Sequence, residues 1–401
     1  MKHIIILGDG MADSPIAEFG NKTPLMAANT PNIDKLCEKG RCGKLITVPQ
    51  DMPPGSEVAN MAVLGYDVKK VYQGRGVLEA ASMGIELEET DIAMRCNLIC
   101  IEDEKIKNHS AGHISNTEAH ELIITLQEEL GTEKIKFYPG VSYRHLLVIK
   151  KEVNNVECIP PHDVTGTLFK DVVPKPVDND KAFSNLLNEL ILKSQEILSK
   201  HPVNLKRISE GKDPANSIWP WSPGTKPEMK TLQELYGVSG AMISAVDLLY
   251  GIGKYAGMKA IKVEGSTGLY DTNYEGKAKA AIDALKEVDL VYLHIEASDE
   301  AGHEGDYELK KKTIEYLDSR VVKYIVEKTA KMDEAVTIAL IPDHPTPCDI
   351  KTHTRDAVPF TIFKPGNIAD SVSEYNEESV NKGFYGTLKG NEFMLALLNG
   401  V

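Results

Sequence analysis

The sequence predicts an α/β protein: a mostly parallel sheet flanked by helices, built from both ends of the chain and interrupted by a smaller inserted α/β (α+β) domain. Apolar runs of strand type alternate with helical periodicity at both ends, as at His3–Leu7, Leu290–Ile295 and Ala335–Ile341. Each of these runs stops in acidic, small or imidazole residues, as buried parallel strands do at their carboxyl ends, where open α/β sheets carry their sites. Between about residues 88 and 205 the texture differs, with short strands, proline-rich connections and one long helix. The expected division is 1–87 with 206–401 as the core and 88–205 as the insertion.

A chain of 401 residues accommodates two domains. Its 42% hydrophobic and 26% charged residues are ordinary for a soluble globular protein. No apolar run approaches the roughly 20 residues of a membrane span, so no membrane partner is expected. The start, Met1-Lys2-His3-Ile4, runs directly into Gly8-Asp9-Gly10 and reads as a first strand, not a signal peptide. Six scattered cysteines (37, 42, 96, 100, 158 and 348) lack zinc-finger or redox spacing, which points to reduced thiols and a cytoplasmic location. A net charge of −14 argues against nucleic acid and requires an anionic substrate to meet a local cluster of cations.

In chain order, His3–Leu7 is a buried strand ending at Asp9, which reads equally as a turn aspartate or as a ligand. Thr30-Pro31 opens a capped helix. After Pro53-Pro54-Gly55, Ser56 begins an apolar helix; its hydroxyl serves either as an ordinary N-cap or as a group held at the positive end of a helix dipole. Ala93–Ile101 and Tyr143–Ile149 read as strands, Glu118–Leu130 and Ala182–Ser199 as helices, and 153–180 as irregular connections. His201-Pro202-Val203-Asn204 ends the long helix, and Pro214–Gly224 holds both tryptophans. Helix Ala241–Lys254, strand Ala260–Val263, a glycine-rich turn and helix Ala278–Lys286 restore the alternation. Strand Leu290–Ile295 then runs into Asp299 and His303, which one helical turn places on the same face, an arrangement that alone is usually a solvated surface. Thr313–Lys331 is helical, Ala335–Ile341 ends at Asp343-His344, and His353 follows in a polar loop. Strand Pro359–Phe363 and helix Asn391–Leu398 close the chain.

The carboxyl ends of parallel strands share one edge, so Asp9, Asp299, His303, Asp343, His344 and His353 can converge with Ser56. Carboxylates and neutral imidazoles suit divalent cations of the manganese or zinc kind. A pair of such ions about 4 Å apart can clamp an in-line phosphoryl displacement.

The arrangement resembles the alkaline phosphatase superfamily. More closely, the chain resembles cofactor-independent (2,3-bisphosphoglycerate-independent) phosphoglycerate mutases of the archaeal type. The matching text includes Gly8-Asp9-Gly10-Met11-Ala12-Asp13, Pro54-Gly55-Ser56-Glu57-Val58-Ala59-Asn60, Ser110-Ala111-Gly112-His113, Gly140-Val141-Ser142-Tyr143-Arg144-His145, Asp271-Thr272-Asn273-Tyr274-Glu275-Gly276-Lys277, Glu296–His303 and Asp343-His344. The resemblance implies an alkaline-phosphatase-like core, an inserted lid, and two divalent metal ions: manganese first, with zinc, magnesium or cobalt as alternatives. It implies one ion on Asp299, His303 and His353, and another on Asp9, Ser56, Asp343 and His344, with Ser56 as the nucleophile that carries the phosphoryl group. On the insertion, His113 is the candidate proton carrier and Arg144 the candidate anion clamp; each is open to a structural alternative, as a loop-ordering histidine and an ion-pair partner. Lys254, Arg207 and Lys212 are further candidates for a small phosphorylated substrate. The implied activity interconverts 2- and 3-phosphoglycerate. A homoserine-kinase-type phosphotransfer or a metal-dependent phosphatase would use the same ions and serine.

Overall fold

The structure is a computed structural model, and it describes residues 1–17, 20–151 and 155–400. The chain divides into two compact units, Met1–Tyr72 with Glu228–Val401, and Gln73–Pro227.

The larger unit is organised by an eight-stranded sheet. Its spatial order is Lys259–Ile261, Gly240–Ile243, Leu290–Ile295, Lys2–Gly8, Val336–Ile341, Val358–Phe363, Arg41–Ile46 and Gly386–Lys389. The three strands predicted to carry the site are central and, apart from the half-buried Lys2, buried along their whole length, which is why they read as continuous apolar runs. Lys2–Gly8 lies parallel to both neighbours, with Gly8 opposite Ile295 and Leu7 opposite Ile341. Their carboxyl ends therefore emerge together at one edge. Only the strand Val358–Phe363 runs antiparallel to its neighbours. Arg41–Ile46 and Gly386–Lys389, which sequence periodicity did not single out, complete that side.

Two elements differ from the sequence reading. The segment expected as helix Ala241–Lys254 begins as the buried strand Gly240–Ile243, and the helix is confined to Asp247–Tyr255. A four-residue apolar strand has too little length for periodicity to separate it from buried helix. The helix Pro31–Lys39 starts where predicted, yet the Thr30 side chain makes no capping bond. Asp318 does this work instead, accepting from the backbone N–H groups of Asn32 and Ile33 at 2.9 and 2.8 Å. It does so from Leu317–Val322, a widened π turn within the helical run from Tyr307 to Thr329.

The smaller unit is an antiparallel sheet in the order Lys105–Asn108, Asp91–Glu102, Arg144–Lys150 and Ile135–Val141, with Ser217–Thr225 along the other side of Asp91–Glu102. Helices Asn116–Leu130 and Ala182–Leu198 contribute Leu122, Leu126, Leu187 and Ile191 to its core. The first is closed by a reciprocal capping box between Ser115 and Glu118. The tryptophan segment is thus a strand; its prolines disguise it, and they are tolerated because it pairs only with Asp91–Glu102. His201 does end the long helix, but it also caps a further helix, Pro202–Ser209, accepting from Val203 N–H. Strand Ser217–Thr225 and helix Arg75–Ser82, both beyond the expected limits of 88 and 205, belong to this unit. In the irregular stretch 153–180, residues 153 and 154 lie outside the described ones; the rest holds only short elements.

Candidate active site

At the carboxyl edge of the large sheet, Asp9 follows the first strand, Asp299 and His303 sit on helix Ala297–Glu304, and Asp343-His344 follow strand Val336–Ile341. Gly10 permits the packing between them. It adopts φ +59°, and a Cβ there would stand 2.5 Å from Asp299 Oδ1.

His344 is the junction. Its Nε2 stands 3.1 Å from Ser56 Oγ, 3.3 Å from Asp343 Oδ2 and 3.6 Å from Asp9 Oδ1. Beside it, Asp299 Oδ2 is 3.2 Å from His303 Nε2, and Asp299 Oδ1 is 3.5 Å from His353 Nε2. Donors about 2.1 Å from a shared ion stand roughly 3–3.5 Å from one another, so both groups have the spacing of a ligand set. Asp9, Asp343 and His344 form one compact triad, and Asp299, His344 and His353 another.

Three features fit divalent cations. Asp9 Oδ1 is buried and has no hydrogen-bond partner. Burial first, and then the neighbouring carboxylates Asp343 and Asp299, push the Asp9 acid well above its ordinary range. The third is the pairing of His303 and His353, whose Nε2 atoms face each other at 2.9 Å. His303 Nδ1 donates to Lys351 O at 3.0 Å and His353 Nδ1 to Pro54 O at 2.7 Å, so both Nε2 atoms present lone pairs. Two lone pairs at that distance need a positive charge nearby. Without an ion it must be a proton: a hydrogen bond to Asp299 raises His303 to about 9. Burial alone would raise Asp299, yet His303 and His353 hold it well below its usual range.

Ser56 is the first residue of helix Ser56–Val63; the N-cap position belongs to Gly55. The simpler expectation, Ser56 as the N-cap, therefore does not hold, and its hydroxyl is turned to His344 instead of its own helix. Asn60, one turn on, fixes this helix to the site: its amide donates to Ser56 O and to Asp343 Oδ2, both at 2.8 Å, while its oxygen accepts from Tyr292 at 2.5 Å.

Several of these supporting residues carry no sequence signal. His294, within a buried strand, sits 2.8 Å from Asp9 Oδ2, and Ser298 donates to Asp9 O. Thr346 joins Asp299 to His344 through one hydroxyl. Asn60 and Ser298 lie inside the matched motifs and were legible there only as text.

The remaining candidates divide. His113, at φ +54°, and Arg144 are exposed on the smaller unit and flank Tyr143: the His113 ring is 6.4 Å from it edge-on, and the Arg144 guanidinium lies 5.9 Å from its centroid. Arg207 departs from expectation. It is 3% exposed and donates to Glu118, Ala111 O and Asp213 O, which commits it to holding the loop that leads to His113. Lys212 is exposed and pairs with Glu210, and Lys254 is exposed in the last turn of its helix.

A family model for 2,3-bisphosphoglycerate-independent phosphoglycerate mutase matches residues 37–204. A protein of that name from Methanosarcina acetivorans is 54% identical, over 98% of both chains. Among solved structures, a Pyrococcus horikoshii protein superposes with a TM-score of 0.85 at 31% identity, covering 99% of this chain and 96% of that one. A cofactor-independent phosphoglycerate mutase from Thermoplasma acidophilum gives 0.71 at 26% identity, over 100% and 99%. With a relative this similar along nearly its whole length, the chain belongs to the 2,3-bisphosphoglycerate-independent phosphoglycerate mutase family.

Proposed function

We propose that this protein interconverts 2-phosphoglycerate and 3-phosphoglycerate through a phosphoserine at Ser56. The observation that carries the reading is the Ser56 hydroxyl: it opens a helix and faces His344 within a set of metal-type donors, where a structural serine would cap its own helix. The set fits two divalent cations, manganese first, one on Asp299, His303 and His353, the other on Asp9, Asp343, His344 and Ser56. Bound there, they would neutralise phosphoryl charge and acidify the serine hydroxyl.

The chain's own groups account for the rest. Ser56 Oγ forms the bond to phosphorus as the ester oxygen of the substrate leaves. Asn60 holds the start of the helix, and with it Ser56, against Asp343. In the second half, the other hydroxyl of glycerate takes the phosphoryl group back and Ser56 is restored. His113 is assigned the proton, and Arg144 the two-pronged grip on carboxylate or phosphate. The smaller unit would then be the phosphotransfer lid, and exclusion of water would separate a mutase from a phosphatase. A cytoplasmic location accords with this role; no helix among the described residues is long and apolar enough to cross a membrane.

The test is purified protein with manganese and 3-phosphoglycerate, with 2-phosphoglycerate followed through enolase. Turnover that disappears in Ser56→Ala supports the reading. Phosphorylation of homoserine without mutase activity, or release of inorganic phosphate alone, would replace it with one of the two alternatives.

A further inference from the structure

Behind the metal-type donors lies an ion pair that the chemistry above does not use. Lys310, on helix Tyr307–Tyr316, and Asp13 are both fully buried in their side chains, with Lys310 Nζ 2.7 Å from Asp13 Oδ2. A lysine is almost never wholly enclosed without a specific partner set, and this one has three. Besides Asp13, its ammonium donates to Ala12 O at 3.1 Å and to Thr346 O at 2.8 Å. Ala12 lies three residues after Asp9, and Thr346 two residues after His344. One ammonium therefore ties together the two loops that deliver Asp9, Asp343 and His344. Asp13 completes the tie by accepting from Cys348 N–H at 3.2 Å and Ser14 N–H at 2.7 Å, so it too bridges both loops. Asp13 N–H is in turn held by Glu377 Oε1, whose other oxygen accepts from Thr23.

The connection continues into the site through Thr346, whose hydroxyl contacts Asp299 Oδ1 and His344 Nδ1. Releasing the Thr346 backbone would thus disturb a group from each proposed ligand set at once. We infer that Lys310, paired with Asp13, is a positioning residue that fixes the spacing of the two ligand sets while touching neither substrate nor ion. This rests on the two-cation reading of the site.

The test measures manganese binding by equilibrium dialysis alongside melting temperature and steady-state kinetics, in Lys310→Met, Lys310→Arg and Lys310→Met/Asp13→Asn. The double variant removes both charges and keeps an oxygen acceptor, which relieves the lone buried carboxylate and preserves folding if Lys310→Met alone cannot fold. The expected result is manganese affinity about 10–100-fold weaker in the folded variants, the usual range for losing a group that orients metal ligands. The double variant should recover melting temperature without recovering affinity. At saturating manganese its kcat should rise toward wild type with KM for 3-phosphoglycerate unchanged. Wild-type manganese affinity in the double variant, or in a folded Lys310→Met, would overturn the inference and leave the pair as structural only. A wild-type protein that binds two manganese ions but lacks mutase turnover would count against the proposed reaction while leaving the positioning role intact.

Discussion

Replacing Asp9 with asparagine is predicted to stabilise the metal-free protein and destabilise the metal-loaded one. Asp9 is 2% exposed, has one oxygen without a partner, and lies close to Asp343 and Asp299. Its folded-state acid is weakened by burial and by those two charges, so folding is penalised at every pH above the unfolded value near 3.9, and the penalty fades as pH falls through the raised folded value. At pH 7 the penalty cannot exceed about 4 kcal/mol, since protonation caps it at roughly 1.4 kcal/mol for each pH unit above 3.9. Asparagine keeps the shape and can still bond His294, so most of that penalty should be relieved in the metal-free state. With cations present the sign reverses. An ion at 10,000 times its dissociation constant stabilises the wild type by about 5.5 kcal/mol, more than the cap of about 4 kcal/mol on the penalty, and the variant forfeits this at the Asp9 site. For a body of this size each kcal/mol moves the melting point by roughly 2–4 °C. Scanning calorimetry with chelator and with excess manganese should therefore give crossing orders: variant above wild type when stripped, below it when loaded. A variant less stable than wild type in chelator would refute the claim that the carboxylates are held together against their own repulsion.

Ser56→Ala should leave folding within about 1 kcal/mol of wild type, because one hydrogen bond at a half-buried site is lost, while enolase-coupled turnover falls by at least about 10⁴-fold. Arg207→Met should cost about 3 kcal/mol in urea unfolding, since it leaves Glu118 and two backbone carbonyls without the buried guanidinium that pairs them. His145, whose Nδ1 accepts from Gly140 N–H at 3.0 Å, is pushed by burial to about 3. Above pH 6.5 it is neutral folded or unfolded; below that the unfolded chain takes up a proton that the folded one refuses. Stability should then fall by about 1.4 kcal/mol per pH unit down to about pH 3, and His145→Gln should remove that part of the slope in urea titrations between pH 7 and 5.

The central fold was legible because its strands are buried on both faces: Leu290–Ile295 and Val336–Ile341 read as apolar runs that stop at their ligands. Short or marginal strands were not. Gly240–Ile243 is too brief to show a period, and Ser217–Thr225 carries prolines that an edge position tolerates. At the site, Asp9, Asp299, Asp343 and His344 announced themselves by standing at strand ends. His294 and Tyr292 did not, since a polar residue inside a buried strand gains its meaning only from what lies across it. Arg207 misled for a related reason: an arginine's charge is visible in a sequence, whereas its engagement by Glu118 and two backbone carbonyls is not.

The most direct measurement is anomalous scattering from crystals grown with manganese. Two peaks roughly 4 Å apart are expected, one among Asp299, His303 and His353, the other among Asp9, Asp343 and His344 with Ser56 Oγ in its coordination shell. A single peak, or a second ion that leaves Ser56 uncoordinated, would contradict the two-cation reading.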